Sequence, residues 1–349
     1  MDYLIRYQFK MKIAILTRSD YRSPRVLANS LKLQLEQDGV EIEIIYEINL
    51  LSRLVSLKES GLNFHFWLKR KLQYFSKDVN LLRKLKKFDT IIISECTPNG
   101  FIRRLYNVEK FKRIIRKPVG LYEVYYLGNA PTKIDSLKKS NNALFERFDF
   151  HLSVSNVTEI KSLPSQNYYS IGIFAQSWKL KPLPKKEILA VVDFIQPGYE
   201  QYRKFEIAAL NKAGIKYISL EKQYSFEEIR NIYQRSAIFF IQFPEAFGVS
   251  ILECLCCGCQ IFTRESSWPM SWRLNENPET HGEGSLPDCF TIYKNENELE
   301  KELAAFKENY DLTETPKKVF ANFLAHYPQF YYGNEKESQR LLLNLKSLF

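Results

Sequence analysis

The sequence predicts an α/β protein made of two Rossmann-like units with a cleft between them. Three observations carry that prediction. Short apolar runs of strand length alternate with amphipathic helical stretches along the chain, the pattern of βαβ units around parallel sheets. At 349 residues the chain is too long for one ordinary core and suits two. Near its middle, residues 171–186 carry two prolines and lose regular periodicity, and this stretch reads as the linker.

Composition narrows the class. A hydrophobic fraction of 45% and a charged fraction of 26% are those of a soluble globular protein. No apolar run approaches the ~20 residues of a membrane span, and the N-terminus lacks the apolar core and cleavage site of a signal peptide. Six cysteines in a chain of this size do not make a disulfide framework, so a reducing cytoplasm is expected. The charge is unevenly shared: residues 1–180 have a net charge of +13 and residues 181–349 of −3. A basic half seeks anions, whether phosphorylated substrates, nucleic acid or an anionic membrane surface.

The elements follow in order. Residues 11–17 form an apolar strand, and residues 24–37 a helix with Ser23 as N-cap and Pro24 at its first position. Between them stand Arg18 and Arg22, positioned for an anion or for a solvated rim. Residues 40–48 are the second strand. Residues 62–87 mix aromatics with a basic cluster at helical spacing. They read either as a helix with one face in a core or as one lying in an anionic bilayer interface. Residues 89–94 and 118–122 are buried strands, with Glu95 and Glu123 just past their carboxyl ends, on the edge where an α/β sheet binds ligands. His151 lies in a further strand and reads as a structural histidine. In the second half, residues 187–194 and 215–220 are strands, residues 199–213 a helix stopped by Gly214, and Ser225 to Glu228 a capping box opening another.

The most informative stretch is Phe243-Pro-Glu-Ala-Phe-Gly-Val-Ser-Ile-Leu-Glu-Cys-Leu-Cys-Cys-Gly-Cys-Gln-Ile-Phe-Thr263. A buried strand over 237–242 is broken by Pro244, a turn through Phe247 and Gly248 enters a helix, Gly258 stops it, and a strand follows. The turn leaves backbone N–H groups at a helix N-terminus beyond a parallel strand, a place suited to phosphate. Glu245 stands before the turn and Glu253 is expected two turns into the helix on its exposed side, able to accept hydrogen bonds from a diol. Cys254, Cys256, Cys257 and Cys259 lack an outlying ligand pair and read as small packing residues rather than a zinc site.

Residues 244–263 resemble the donor-site signature of retaining glycosyltransferases with the GT-B fold, matching at Pro244, Glu245, Phe247, Gly248, Glu253 and Gly258. The resemblance implies an acceptor domain over 1–175, a nucleotide-sugar domain over 176–325, and a C-terminal helix over 326–349 that returns to the first domain. It implies sugar transfer from a nucleotide-diphosphate donor to an acceptor hydroxyl of a glycan, glycolipid or protein, with retention; no Asp-x-Asp-type metal motif stands at a strand end, so no metal is expected. Glu245 would be catalytic. Phe247, Gly248, Val249 and Ser250 would hold the diphosphate through their N–H groups, and Glu253 the ribose. The family holds the diphosphate with an Arg and a Lys, for which Arg203 and Lys204 are the available substitutes. Arg18, Arg22, Glu95 and Glu123 are the acceptor-side candidates. Two rivals remain: a catalytically silent binding subunit of the same fold, and a nucleic-acid-binding protein, which would explain the basic half but not the motif.

Overall fold

A computed structural model describes residues 11–17, 22–46, 79–94, 108–123, 148–155, 167–243, 245, 247–264, 270–274 and 284–347. They form two wholly parallel sheets. The first has the order β2-β1-β3-β4-β5-β6, from β1 (Lys12–Leu16), β2 (Glu41–Ile45), β3 (Thr90–Ser94), β4 (Val119–Glu123), β5 (Phe150–Ser153) and β6 (Tyr168–Ser170). The second has the order β11-β10-β9-β7-β8, from β7 (Leu189–Val192), β8 (Lys216–Ser219), β9 (Ile238–Ile241), β10 (Gln260–Arg264) and β11 (Phe290–Tyr293). In each sheet the chain runs outward from one central strand and then returns to its other side. The reversal lies between β1 and β3 in the first sheet and between β7 and β9 in the second. Open α/β sheets bind ligands at such points, beyond the carboxyl ends of the strands.

Parallel strands are buried on both faces, which explains their near-continuous apolar runs. Ile91, Ile92 and Ile93 of β3 and Phe239, Phe240 and Ile241 of β9 are all buried. Helix α1 (Arg22–Glu36) places Leu27, Leu31 and Leu35 on one face, in a core shared with Ile13, Ile15 and Ile42. It begins before the expected cap, so Ser23 lies within its first turn. Pro24 remains tolerated there because first-turn N–H groups have no intrahelical acceptor.

Helix α2, residues 79–85, buries Leu81 and Leu85 while Arg83, Lys84, Lys86 and Lys87 stay exposed. The described part of the basic stretch thus has a core-facing side; residues 62–78 lie outside the described residues. No described helix is long and apolar enough to cross a membrane. Helix α3 (Val108–Ile115) ends at Arg116, which has a left-handed backbone with φ 57°.

In the second half, α4 (Glu200–Ala213) and α5 (Phe226–Arg235) follow β7 and β8. The Ser225–Glu228 capping box forms as expected. Helix α6 (Val249–Cys256) follows β9, and α7 (Glu296–Asn309) and α8 (Glu314–His326) follow β11. The short α9 (Pro328–Tyr331) leads into α10 (Glu335–Lys346), which packs back on the first sheet. There Gln34 Nε2 donates to Ser338 Oγ at 2.8 Å and to the Ile171 carbonyl at 3.0 Å. Arg340 donates to the Tyr168 carbonyl and lies over the Tyr169 ring, 4.2 Å from its centroid. One apolar core joins both halves, from Leu27 and Tyr169 to Phe247, Leu252 and Leu341.

Candidate functional site

A cavity of about 200 Å³ lies where the two reversal points face each other. The first half contributes Ser23, at the start of α1. The loop after β7 contributes Asp193, Phe194 and Gln196, and the loop after β9 contributes Phe243, Glu245, Gly248, Val249 and Ser250. The motif read from the sequence is therefore brought to the cleft. A larger groove, about 890 Å³, lies on the outer surface between α4 and α7 and contains none of these residues.

The turn into α6 is built for an anion. Gly248 is its N-cap, with φ 72°, and no side chain caps the helix. The first N–H groups of α6 have no intrahelical acceptor and carry the positive end of the helix dipole. The positive φ favours glycine here, and a Cβ at position 248 would lie 2.6 Å from Ile251 Cδ1, so that side chain would have to shift.

An aromatic box fixes this turn from behind. The Phe247 side chain is fully buried, stacked on Trp272 with centroids 5.2 Å apart and edge-on to Phe330 at 4.9 Å. Trp272 Nε1 donates to the Phe247 carbonyl at 2.5 Å, and Tyr327 donates its hydroxyl proton to the Trp272 carbonyl. Only the backbone of Phe247 is thus available for binding. Trp272 lies in a stretch where the sequence resemblance leads one to expect small residues, and no local pattern marks it as a support.

Three expected placements are corrected. Glu253 is not on an exposed face; it is fully buried, and its Oε1 accepts from Arg230 Nε at 2.9 Å. Helix α5 packs against that face of α6, and a carboxylate buried there requires a cation. The Arg230 guanidinium itself lies 5.3 Å from the Trp178 ring centroid and 5.2 Å from that of Phe226.

Arg203 does not project into the cleft. It is buried and donates to the Asp193 carbonyl, Ser219 Oγ and the Leu220 carbonyl, tying the loop after β7 to the end of β8. Lys204, its neighbour, is exposed on α4. No lysine or arginine is among the described residues lining the cavity.

Glu123 is the last residue of β4 rather than past its end, and it is fully buried. His151 Nε2 lies 3.2 Å from Glu123 Oε1, so the histidine is held by a carboxylate on the adjacent strand. Strand β4 is one removed from the reversal point between β1 and β3. Arg18, Glu95 and the side chain of Arg22 lie outside the described residues.

A buried polar cluster at the carboxyl ends of β9, β10 and β11 escapes sequence reasoning. Glu206 of α4 is fully buried and accepts from Tyr293 Oη at 2.7 Å and from Gln242 Nε2 at 3.0 Å. Burial pushes its carboxyl up to about 7, against the opposing pull of these hydrogen bonds and of Arg203 and Arg264. Arg264 lies over the Tyr202 ring, 3.6 Å from its centroid. The four motif cysteines are fully buried, and burial raises the thiols of Cys254, Cys256 and Cys257. No group of three or more His, Cys, Asp or Glu among the described residues is placed to hold a metal.

No protein-family model and no curated protein sequence matches the chain. Solved structures do match its fold. Anabaena Alr3699/HepE in complex with UDP and glucose is 14% identical, with a TM-score of 0.54, over 97% of this chain and 100% of that one. A protein assigned as a UDP-N-acetylglucosamine 2-epimerase from Listeria monocytogenes is 14% identical, with a TM-score of 0.57 over 97% of each chain. The catalytic domain of Arabidopsis thaliana starch synthase IV, bound to ADP and acarbose, is 10% identical, with a TM-score of 0.54 over 95% of this chain and 99% of that one. The chain has the GT-B fold: two Rossmann-like domains, each with a parallel sheet.

Proposed function

We propose that this chain is a glycosyltransferase that moves a sugar from a nucleotide-diphosphate donor to an acceptor hydroxyl, with retention and without a metal ion. The observation that carries the reading is the uncapped N-terminus of α6 at the reversal point of the second sheet, with Glu245 beside it and Ser23 of the other half closing the cavity. The backbone N–H groups of Phe247 to Ser250 take the diphosphate and stabilise the charge that develops as it departs, a contribution that can dominate catalysis. Glu253, buried against Arg230 and outside the cavity lining, fixes α6 in place rather than meeting the ribose. Glu245 orients the sugar hydroxyls and stabilises positive charge at the anomeric carbon. Glycan, glycolipid and protein hydroxyls remain the acceptor classes, with an anionic membrane as the surface on which a lipid-linked one would be met. The GT-B fold also serves proteins assigned as epimerases, and such an enzyme would instead invert one carbon of the donor sugar with no acceptor present.

Thermal unfolding with UDP, GDP and ADP tests the donor site. A ligand at 100 times its dissociation constant stabilises by about 2.7 kcal/mol, and Ser250→Glu, which puts a negative charge at the helix start, should abolish the shift. Glu245→Gln should keep the shift and lower sugar transfer by about a hundredfold or more. Product anomers read by NMR decide retention, and activity in EDTA decides the metal question. No shift with any nucleotide sinks the reading.

A further inference from the structure

At the amino-terminal edge of the first sheet, opposite the cleft, the end of α3 meets β4, β5 and the end of α10. A cavity of about 640 Å³ opens there, within the range of small-molecule sites. Arg113, Arg116 and Lys117 line one side, and Asn167 and Asn344 lie on segments from elsewhere in the chain. Phe150, largely buried, contributes apolar surface. Lys112 and Asp149 also line the cavity but satisfy each other: Lys112 Nζ donates to Asp149 Oδ1 at 2.6 Å, and Oδ2 accepts from the Val119 N–H at 2.8 Å. Among the described residues lining the cavity, the one carboxylate is therefore engaged. The side chains of Arg113, Arg116 and Lys117 have no ion pair or hydrogen bond among the described residues.

The backbone adds an independent observation. Arg116 has φ 57°, one of two non-glycine residues with positive φ among those described. A left-handed residue directly after a helix is ordinarily glycine. Here the chain accepts a strained arginine, and the result is a guanidinium at the cavity wall. Helix-dipole compensation accounts for cations within the last turn of α3, where Lys112 and Arg113 lie. Arg116 and Lys117 come after the helix has ended.

We propose that this cavity binds a multiply charged phosphate group, separately from the cleft. Arginine presents a planar fork that matches phosphate oxygens two at a time, and lysine adds a point charge. The asparagine amides suit hydroxyls on the ligand body, and Phe150 suits its apolar face. A lipid headgroup and a free phosphorylated metabolite share this chemistry.

The test uses the full-length protein and inorganic tripolyphosphate, titrated calorimetrically at physiological salt. A triple variant, Arg113→Gln with Arg116→Gly and Lys117→Gln, removes the cations, and its glycine relieves the backbone, so folding is preserved. The wild type should show one saturable site, weakened about tenfold or more in the triple variant. The site should be retained in Ser250→Glu, in which the cleft is blocked, and in Arg83→Gln with Lys86→Gln, which removes neighbouring charge from the same edge. Sedimentation with vesicles containing phosphatidic acid, whose phosphomonoester can carry two charges, compared with phosphatidylcholine alone, separates the sources. Pelleting that the triple variant loses identifies a lipid headgroup; tripolyphosphate binding without pelleting identifies a soluble ligand. Equal binding by wild type and triple variant, loss in Ser250→Glu, or no binding in either assay overturns the proposal.

Discussion

Glu206 shows what one buried carboxyl does to the molecule. In an unfolded chain it loses its proton near 4.5, whereas in the folded protein burial holds that proton to about 7. Between those values the folded state binds a proton that the unfolded state has released. Stability therefore falls as pH rises through that window, by about 1.4 kcal/mol per pH unit. The loss amounts to about 3 kcal/mol and levels off above pH 7. Glu206→Gln should abolish it, so urea unfolding at pH 5 and pH 8 should show wild type losing about 3 kcal/mol more than the variant. Parallel losses would rule this out. The variant is sterically conservative, and Gln242 Oε1, buried without a partner, can meet the new amide by a flip of its own. None of this is legible in the sequence, where Glu206 is one acidic residue in the middle of a helix. Its partners come from two strands that only the fold brings beneath α4.

At the scale of elements, Gly258 connects what the sequence displays to what it hides. It was legible as the stop of α6 before β10, and its φ of 74° agrees. The sequence does not show that α8 crosses directly over it: a Cβ there would lie 2.4 Å from the Pro316 carbonyl oxygen. Gly258→Ala combines an unfavourable dihedral angle with a backbone clash and should cost about 2 kcal/mol or more, read as a lowered unfolding midpoint. An unchanged midpoint would mean that α8 yields. Strands with continuous apolar runs, such as β3 and β9, were equally legible. Strands β6 and β11 were not, because three or four residues of mixed character carry too little pattern. The aromatic box was hidden for another reason: Phe247, Trp272 and Tyr327 are far apart in sequence and share no spacing rule.

For the whole molecule, α10 makes the first half depend on the end of the chain. Leu341, Leu342 and Leu345 are buried in the core that both halves share. Each contributes roughly 1.5–3 kcal/mol by burial, against a typical total stability of about 5–15 kcal/mol. Ending the chain after residue 333 should therefore cost much of the stability. Hydrogen exchange should show the loss first at β6, beneath α10, with β7 and β9 protected for longer. Equal loss across both sheets would refute that order. The same dependence explains why the Gln34–Ser338 contact, spanning almost the full sequence, could not be read from local pattern, although a terminal helix returning to the first half could be expected from the resemblance.

The chain crosses between its halves twice, and the two crossings are stitched together. The Ile173 N–H donates to the Gln329 carbonyl, and the Gly333 and Asn334 N–H groups donate to the carbonyls of Ile173 and Ile171, each at 3.0 Å. A single thread would let one half swivel in any direction. Two threads fastened side by side act like the paired pins of a door: they define an axis, and the only easy movement is rotation about it. Any opening or shutting of the cavity at Ser23 and Gly248 is then a swing about that line, with the width of the gap set by a single angle.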